Sequence, residues 1–182
     1  MSHGGLEINA LDLVDPGVST IEAALKSRTD QKIFTYGGMC NGVGQMVTDV
    51  TRLASTGQVD VLRIWSHGFP GGQGVSTGMP DARFKPAGQR AGIGLTNLAD
   101  VGPDLARLAP CFAPLGRLEL RGCSVGTGDD GRRLLQRLAS LLHVDVLAAF
   151  NSQPIGPLDW AGPVLKVTRD GTSSTISGPP IK

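Results

Sequence analysis

The sequence predicts an α/β protein, a three-layer sandwich with a mostly parallel sheet and a C-terminal β-hairpin. Short apolar strand patterns alternate with amphipathic helix patterns, and the segments between successive strands are long enough to hold a helix. Hydrophobic residues make up 40% and charged residues 18% of the 182 residues, so the chain can bury a sizeable core. We expect one domain over residues 1–182, because no repeat, charge run or linker divides the chain.

The first strand and helix patterns lie before residue 67. Residues 32–37 (KIFTYG) form a short apolar run stopped by glycines, which predicts a buried strand. A helix follows, with apolar residues at helical spacing: Val43, Met46, Val47, Val50 and Leu53. Residues 59–66 (VDVLRIWS) predict a second strand, in which Trp65 should be a core residue.

The middle of the chain is irregular and then helical. A stretch rich in glycine, proline and polar residues runs to about Gly94, which indicates a functional loop or a small hairpin. Leu98, Val101, Leu105 and Leu108 then share one helical face. Pro103 is expected in the first turn of that helix, where a missing N–H is tolerated.

The second half repeats the strand and helix pattern. Residues 117–122 (RLELRG) predict a third strand, and the helix after it has Leu134, Leu135, Leu138, Leu141 and Leu142 on one side. Asp129 or Asp130 is expected to cap the start of this helix, and His143 its end. Residues 144–150 (VDVLAAF) predict a fourth strand, and residues 164–177 alternate around Asp170-Gly171, as in a hairpin.

Composition narrows the classes of partner. The net charge is +1 and aromatic residues make up 4%, which argues against nucleic acid as a partner. No apolar run reaches the length of a membrane span, and the start lacks the pattern of a secretory signal, so we expect a cytoplasmic protein, export by a dedicated system remaining open. The three cysteines lack metal-site or disulfide spacing, and we expect no cofactor.

Two reactive side chains follow predicted strands. His67 comes directly after the strand of residues 59–66, and Cys123 directly after that of residues 117–122. Ligands bind beyond the carboxyl ends of parallel strands, so neighbouring strands would place both groups in one crevice. There a thiolate can attack while the imidazole transfers the proton. The alternative is that Cys123 is a small buried apolar residue and His67 a turn residue.

The residues around this pair resemble a family. Ser66-His67-Gly68 after one strand, and Gly122-Cys123-Ser124 after another, are similar to the caspase-like cysteine peptidases, which include caspases, gingipains and clostripain. The match is closest to a caspase-like domain of large bacterial surface proteins, whose second motif is Y-G-C-x-x-A-x-G-x-x-G. Here that motif reads RGCSVGTGDDG over residues 121–131, and the resemblance covers roughly residues 58–150.

The resemblance implies roles for several residues. It makes Cys123 the nucleophile, His67 its imidazole partner, and the amides of Gly68 and Cys123 an oxyanion hole. Arg121 replaces the usual aromatic residue and Gly126 the usual alanine. The caspase motif Q-A-C-[RQG]-G is absent, so aspartate specificity is not implied.

Substrate contacts stay open at this stage. The candidates are Arg121, Ser124, Asp129, Asp130, Asp159 and Trp160. The aspartates would favour Arg or Lys before the cleaved bond, whereas Arg121 would favour an acidic residue. Trp160 could either plug the sheet edge or line the cleft.

Three hypotheses about function follow. The first is a caspase-like cysteine peptidase acting on peptide bonds or on its own longer precursor, with the substrate peptide extended in the crevice. The second is a catalytically silent binding or structural module of a larger bacterial assembly, because fold does not settle function. The third is a hydrolase of small thioesters or amides that uses the same pair.

Other motifs carry weaker signals. Residues 74–78 match G-x-S-x-G but lack the flanking strand and helix of a nucleophile elbow, so a flexible turn is the better interpretation. Cys40, in the glycine-rich loop at residues 37–44, is a minor alternative nucleophile. Cys111, between Pro110 and Phe112, is expected to be a packing residue.

Overall fold

The computed structural model describes residues 5–12, 18–27, 31–36, 42–75, 92–154 and 157–181. The strands are β1 (Leu6–Asp12), β2 (Gln31–Tyr36), β3 (Val59–Trp65), β4 (Gly68–Phe69), β5 (Gly72–Gly74), β6 (Gly92–Gly94), β7 (Phe112–Leu120), β8 (Asp145–Ala149), β9 (Pro163–Val167) and β10 (Ser173–Ser177). The helices are α1 (Val18–Lys26), α2 (Gly42–Leu53), α3 (Leu98–Ala106) and α4 (Gly128–Leu142).

The main sheet has seven strands in the order β10-β9-β8-β7-β3-β1-β2. Strands β2, β1, β3, β7 and β8 are parallel to one another, β9 is antiparallel to β8, and β10 is antiparallel to β9. Parallel neighbours need long connections, and α1, α2 and α4 each lie in one of them. The predicted α/β class with a mostly parallel sheet is therefore confirmed.

Helices cover both faces of this sheet. The main core lies between the sheet and α2, α3 and α4, and its residues include Ile8, Met46, Val47, Leu62, Ile64, Leu105, Leu118, Leu134 and Leu138. A smaller cluster lies on the other face beside α1 and contains Leu11, Leu25, Trp65, Leu158 and Ile181. Trp65 is thus buried, as predicted. No helix in the described ranges is long and apolar enough to span a membrane.

The face opposite the main core also buries charge. Arg63 of β3 and Glu119 of β7 are both fully buried, and Arg63 Nε donates to Glu119 Oε2 at 3.0 Å. Arg63 Nη1 donates to Glu7 Oε2 of β1 at 2.7 Å, and Arg117 Nε donates to Glu119 Oε1 at 2.8 Å. Charge buried this deeply needs such partners, so these groups tie the neighbouring strands β1, β3 and β7 together.

A second, small sheet forms in the stretch predicted as a loop or hairpin. Its order is β4-β5-β6, with antiparallel pairing of Gly68 to Gln73 and of Gln73 to Ile93. Its first strand, β4, begins directly after His67. The small sheet therefore fixes the path of the chain after β3.

Two local predictions are wrong. Pro103 lies inside α3, because the helix begins at Leu98 and not nearer the proline. A proline at this position cannot donate to the carbonyl of Ala99, and Ala99 is an exposed residue of the helix. Asp129 and Asp130 lie in the first turn of α4, where carboxylates favour the helix dipole, and the N-cap is Thr127.

Two elements were not predicted from sequence. β1 lies in the sheet between β3 and β2, and α1 follows it. In α4, the longest helix among the described residues, His143 is the C-cap and has a left-handed conformation, with φ 56°.

Gly131→Ala should destabilise the domain by about 2 kcal/mol, the range of an overpacked core substitution. A Cβ at Gly131 would lie 2.5 Å from the carbonyl carbon of Gly126 and 2.6 Å from the Val125 oxygen, and both are backbone atoms that cannot rotate away. Urea unfolding monitored by circular dichroism measures the change. Gln136→Ala, at an exposed position of the same helix, is the control and should change stability by a few tenths of a kcal/mol. Equal effects of the two substitutions would contradict this packing.

Candidate active site at the carboxyl ends of β3 and β7

The turns after β3 and β7 lie side by side. The two strands pair in parallel with Ile64 opposite Leu120, and Arg121 N donates to Ile64 O at 2.9 Å. The condition that the sequence argument required, neighbouring strands before His67 and Cys123, is therefore met.

The two turns are in backbone contact. A Cβ at Gly122 would lie 2.8 Å from Gly68 Cα and 2.9 Å from Gly68 N. A Cβ at Gly68 would in turn lie 2.9 Å from Cys123 N. Side chains at these two positions would force the segments apart, so glycine permits the approach. The amides of Gly68 and Cys123 consequently belong to two touching segments.

Gln73 of β5 connects the small sheet to the cysteine turn. Its side chain is 1% exposed, and its Oε1 accepts a hydrogen bond from Gly122 N at 2.9 Å. Its Nε2 donates to Gly74 O at 3.2 Å. Sequence reasoning missed this residue, because a glutamine between glycines indicates a turn and does not reveal a buried partner.

The sulfur of Cys123 lies against the loop that follows β8. Gln153 N donates to Cys123 Sγ at an N–S distance of 3.2 Å. The Cys123 thiol in turn donates to Gln153 O, with an S–O distance of 3.6 Å. The Gln153 side chain holds this loop, since its Oε1 accepts from Ala161 N at 3.0 Å and its Nε2 donates to Asn151 O at 3.1 Å. Gln153 was also missed, because the contact joins distant parts of the chain.

Ser124 turns the chain sharply after the cysteine. Its φ is 57°, a left-handed conformation that non-glycine residues seldom adopt. Ser124 N donates to Asn151 O at 3.0 Å, and Ser124 O accepts from Thr127 N at 3.0 Å. Strained conformations of this kind cluster at functional sites, where surrounding bonds hold them.

Arg121 lies beneath this turn and is only 4% exposed. Its guanidinium carbon is 4.5 Å from the ring centre of Trp65 and 3.7 Å from that of Trp160. Nη2 donates to Leu158 O, and Nη1 lies 3.6 Å from Glu119 Oε2. Burial lowers the pKa of Arg121 to about 10, while the Glu119 carboxylate acts in the opposite direction. Arg121 thus supports the end of β7 and holds the loop after β8, with Trp160 stacked over it.

The acidic candidates lie on two different elements. Asp129 and Asp130 are exposed at the start of α4, and the Cβ of Asp130 lies beside Gly71 of the β4–β5 turn. Asp159 is exposed next to Trp160, and its charge acts on Arg121.

Two further side chains lie at the same edge. Phe69, two residues after the exposed His67, is 63% exposed. Ser66 Oγ donates to Asp12 Oδ2 at 2.7 Å, so the end of β1 also reaches this edge. Neither Phe69 nor Asp12 was singled out from sequence.

Cys111 does not join the site. Cys111 is buried in the main core, as predicted, and burial raises the pKa of its thiol. Cys40 and Ser76 lie outside the described residues. Within the described ranges, no three His, Cys, Asp or Glu side chains form a group that could hold a metal ion.

Fold and site together define the class of this protein. It is an α/β domain in which a turn that bears a histidine and a turn that bears a cysteine lie side by side at the carboxyl edge of a mostly parallel sheet. The chain belongs to the family described as Domain of unknown function (DUF4347), whose model matches residues 11–160. This match includes both turns and Trp160. No curated protein and no solved structure matches the chain.

Proposed function

We propose that this domain is a caspase-like cysteine peptidase that cleaves peptide bonds, in other proteins or in its own longer precursor, with Cys123 and His67. One observation carries the proposal: neighbouring parallel strands end in the two turns that bear these residues, and the turns touch through Gly68 and Gly122. A thiol and an imidazole on adjacent turns are the groups that nucleophilic catalysis requires.

The reaction uses groups from these turns alone. His67 accepts the thiol proton, and Cys123 Sγ forms a bond to the substrate carbonyl carbon. The resulting oxyanion accepts hydrogen bonds from the amides of Gly68 and Cys123. The carbon–nitrogen bond then breaks as His67 returns the proton to the leaving amine. Water, deprotonated by His67, hydrolyses the thioester, and the thiol is restored.

Exposed groups around the turns supply contacts for an extended peptide. Phe69 offers an apolar surface beside His67. The carboxylates of Asp129, Asp130 and Asp159 favour Arg or Lys in the substrate, and Ser124 adds a hydroxyl. Arg121 acts from beneath by holding the strand end, because its guanidinium is buried.

The second candidate is a silent binding or structural module of a larger bacterial assembly. The contact between Cys123 Sγ and the Gln153 backbone favours it, since the sulfur already has a protein partner. In a peptidase, the loop after β8 must release the sulfur when substrate binds. In a silent module, the contact is permanent packing.

Thiol labelling separates the two candidates. At neutral pH, iodoacetamide should modify Cys123 about 10-fold or more faster than both Cys40 and Cys111, because a thiol with an imidazole as proton acceptor reacts faster than an ordinary thiol. Cys111 alone is not a sufficient comparison, because its thiol is buried with a raised pKa. Gln153→Ala should increase the Cys123 rate severalfold, since it removes both side-chain bonds that hold the loop. Peptide mapping by mass spectrometry measures each site.

Gln136→Ala, an exposed glutamine on α4, is the matched control and should leave the Cys123 rate unchanged. A Cys123 that reacts no faster than Cys40 or Cys111 would rule out the peptidase and leave the module. Cleavage of a peptide library is the direct test of activity.

A further inference from the structure

We propose that the groove between α3 and α4 binds an acidic amphipathic helix of a partner protein. The groove has a volume of about 440 Å³ and is lined by Leu95, Leu98 and Gly102 on one side and by Arg133, Arg137 and Leu141 on the other. It shares no residue with the candidate active site, so this inference does not depend on the peptidase proposal.

The floor of the groove is apolar. Leu95, Leu98 and Leu141 are partly buried hydrophobic residues that pack against the main core and still face the groove. A Cβ at Gly102 would meet no atom within 4 Å beyond its chain neighbours, so space remains open above the helix there. Covering apolar surface of this kind with apolar side chains lowers the free energy of the complex.

The charge on the groove is positive and lies along one wall. Arg133 and Arg137 are both exposed and stand one helical turn apart on α4. Arg133 lies 3.9 Å from Asp130, but both side chains are more than 60% exposed, so this pair is weak. In the part of the chain that the structure describes, Arg137 has no ion-pair partner, and the α3 wall contributes no charge.

The walls of the groove favour a helix as the occupant, because the backbone groups of α3 and α4 are paired within those helices and leave no sheet edge for a strand. From Arg133 to Leu141 the α4 wall covers nine residues, about 12 Å at the helical rise, which matches two turns of a docked helix. Apolar side chains at i, i+4 and i+7 would cover the floor, as in helix-in-groove recognition. Carboxylates on one flank would pair with the two arginines.

A phage-displayed library of random 16-residue peptides, selected on the immobilised chain, tests this. We expect enriched peptides with apolar residues at helical spacing and a net negative charge. Ala99 of α3 and Ser140 of α4 also line the groove. Fluorescence anisotropy of the synthesised peptides should show that Ala99→Trp, which fills the groove, weakens binding about 10-fold or more. The double substitution Arg133→Glu with Arg137→Glu should do the same.

Arg132→Glu is the matched control, because Arg132 is an exposed residue of α4 outside the groove, and it should change the Kd less than about 2-fold. If Ala99→Trp fails to fold, Ser140→Trp fills the groove from the opposite wall. The proposal is overturned if no peptide is enriched, if the enriched peptides lack acidic residues, or if they bind the filled variant as tightly as the original chain.

Discussion

Cys123→Ala should lower the rate of peptide cleavage by about 10³-fold or more, and His67→Ala should do so to a similar degree. Without the sulfur no thioester can form, and without the imidazole the thiol proton has no acceptor. Both variants should keep the fold, because Cys123 is only partly buried and His67 is exposed. Mass spectrometry of a peptide library after incubation measures cleavage, and urea unfolding reports stability.

Two further variants make this result specific. Cys40→Ser removes the alternative thiol and should leave cleavage unchanged. The double variant lacking both Cys123 and His67 should be no less active than either single variant, because residues that act as a unit are not additive. Retained cleavage in either single variant, or its loss in Cys40→Ser, would remove the assignment of Cys123 and His67.

Glu119→Ala should lower the free energy of unfolding by about 3 to 5 kcal/mol, the effect of breaking a buried ion pair. Glu119 is fully buried and accepts hydrogen bonds from Arg63 at 3.0 Å and Arg117 at 2.8 Å. Its removal leaves the fully buried Arg63 with one carboxylate fewer, and Arg121 loses the nearby negative charge. Urea unfolding measures the loss.

Arg117→Ala is the matched control, because it removes a partner of the same carboxylate from a side chain that is 28% exposed. It should lower the free energy of unfolding by about 1 kcal/mol or less, because Glu119 keeps its ion pair with Arg63 and the lost cation is partly exposed. Glu119→Gln should fall between the two, since it keeps an acceptor oxygen and loses the charge. A loss no larger for Glu119→Ala than for Arg117→Ala would contradict the structural role of this network.

The network also links stability to the proposed activity. Glu119 lies near Arg121, whose stacking with Trp160 and bond to Leu158 hold the loop after β8. That loop carries Gln153 to the sulfur of Cys123. A loosened β7 should therefore alter cysteine reactivity, because the loop that carries Gln153 would lose its bond to Arg121.

Sequence alone determined the elements whose signal is local. The strand over 59–65, the helix patterns of α2 and α4, and the positions of His67 and Cys123 just after strands could be recognised from periodicity and glycines. Each signal arises from residues a few positions apart, which share one face of a helix or strand. The boundaries were less accurate, because a cap such as Thr127 depends on a distant partner, the Phe150 carbonyl.

Tertiary structure decided which of these elements meet. It placed β1 beside β3, buried Arg121 between two tryptophans, and brought Gln73 and Gln153 to the cysteine turn. These contacts join residues that are 30 to 56 positions apart. The sequence around a polar residue does not indicate whether a distant residue will form a hydrogen bond with it. Burial of that side chain becomes favourable only after the partner's strand or loop has packed against it.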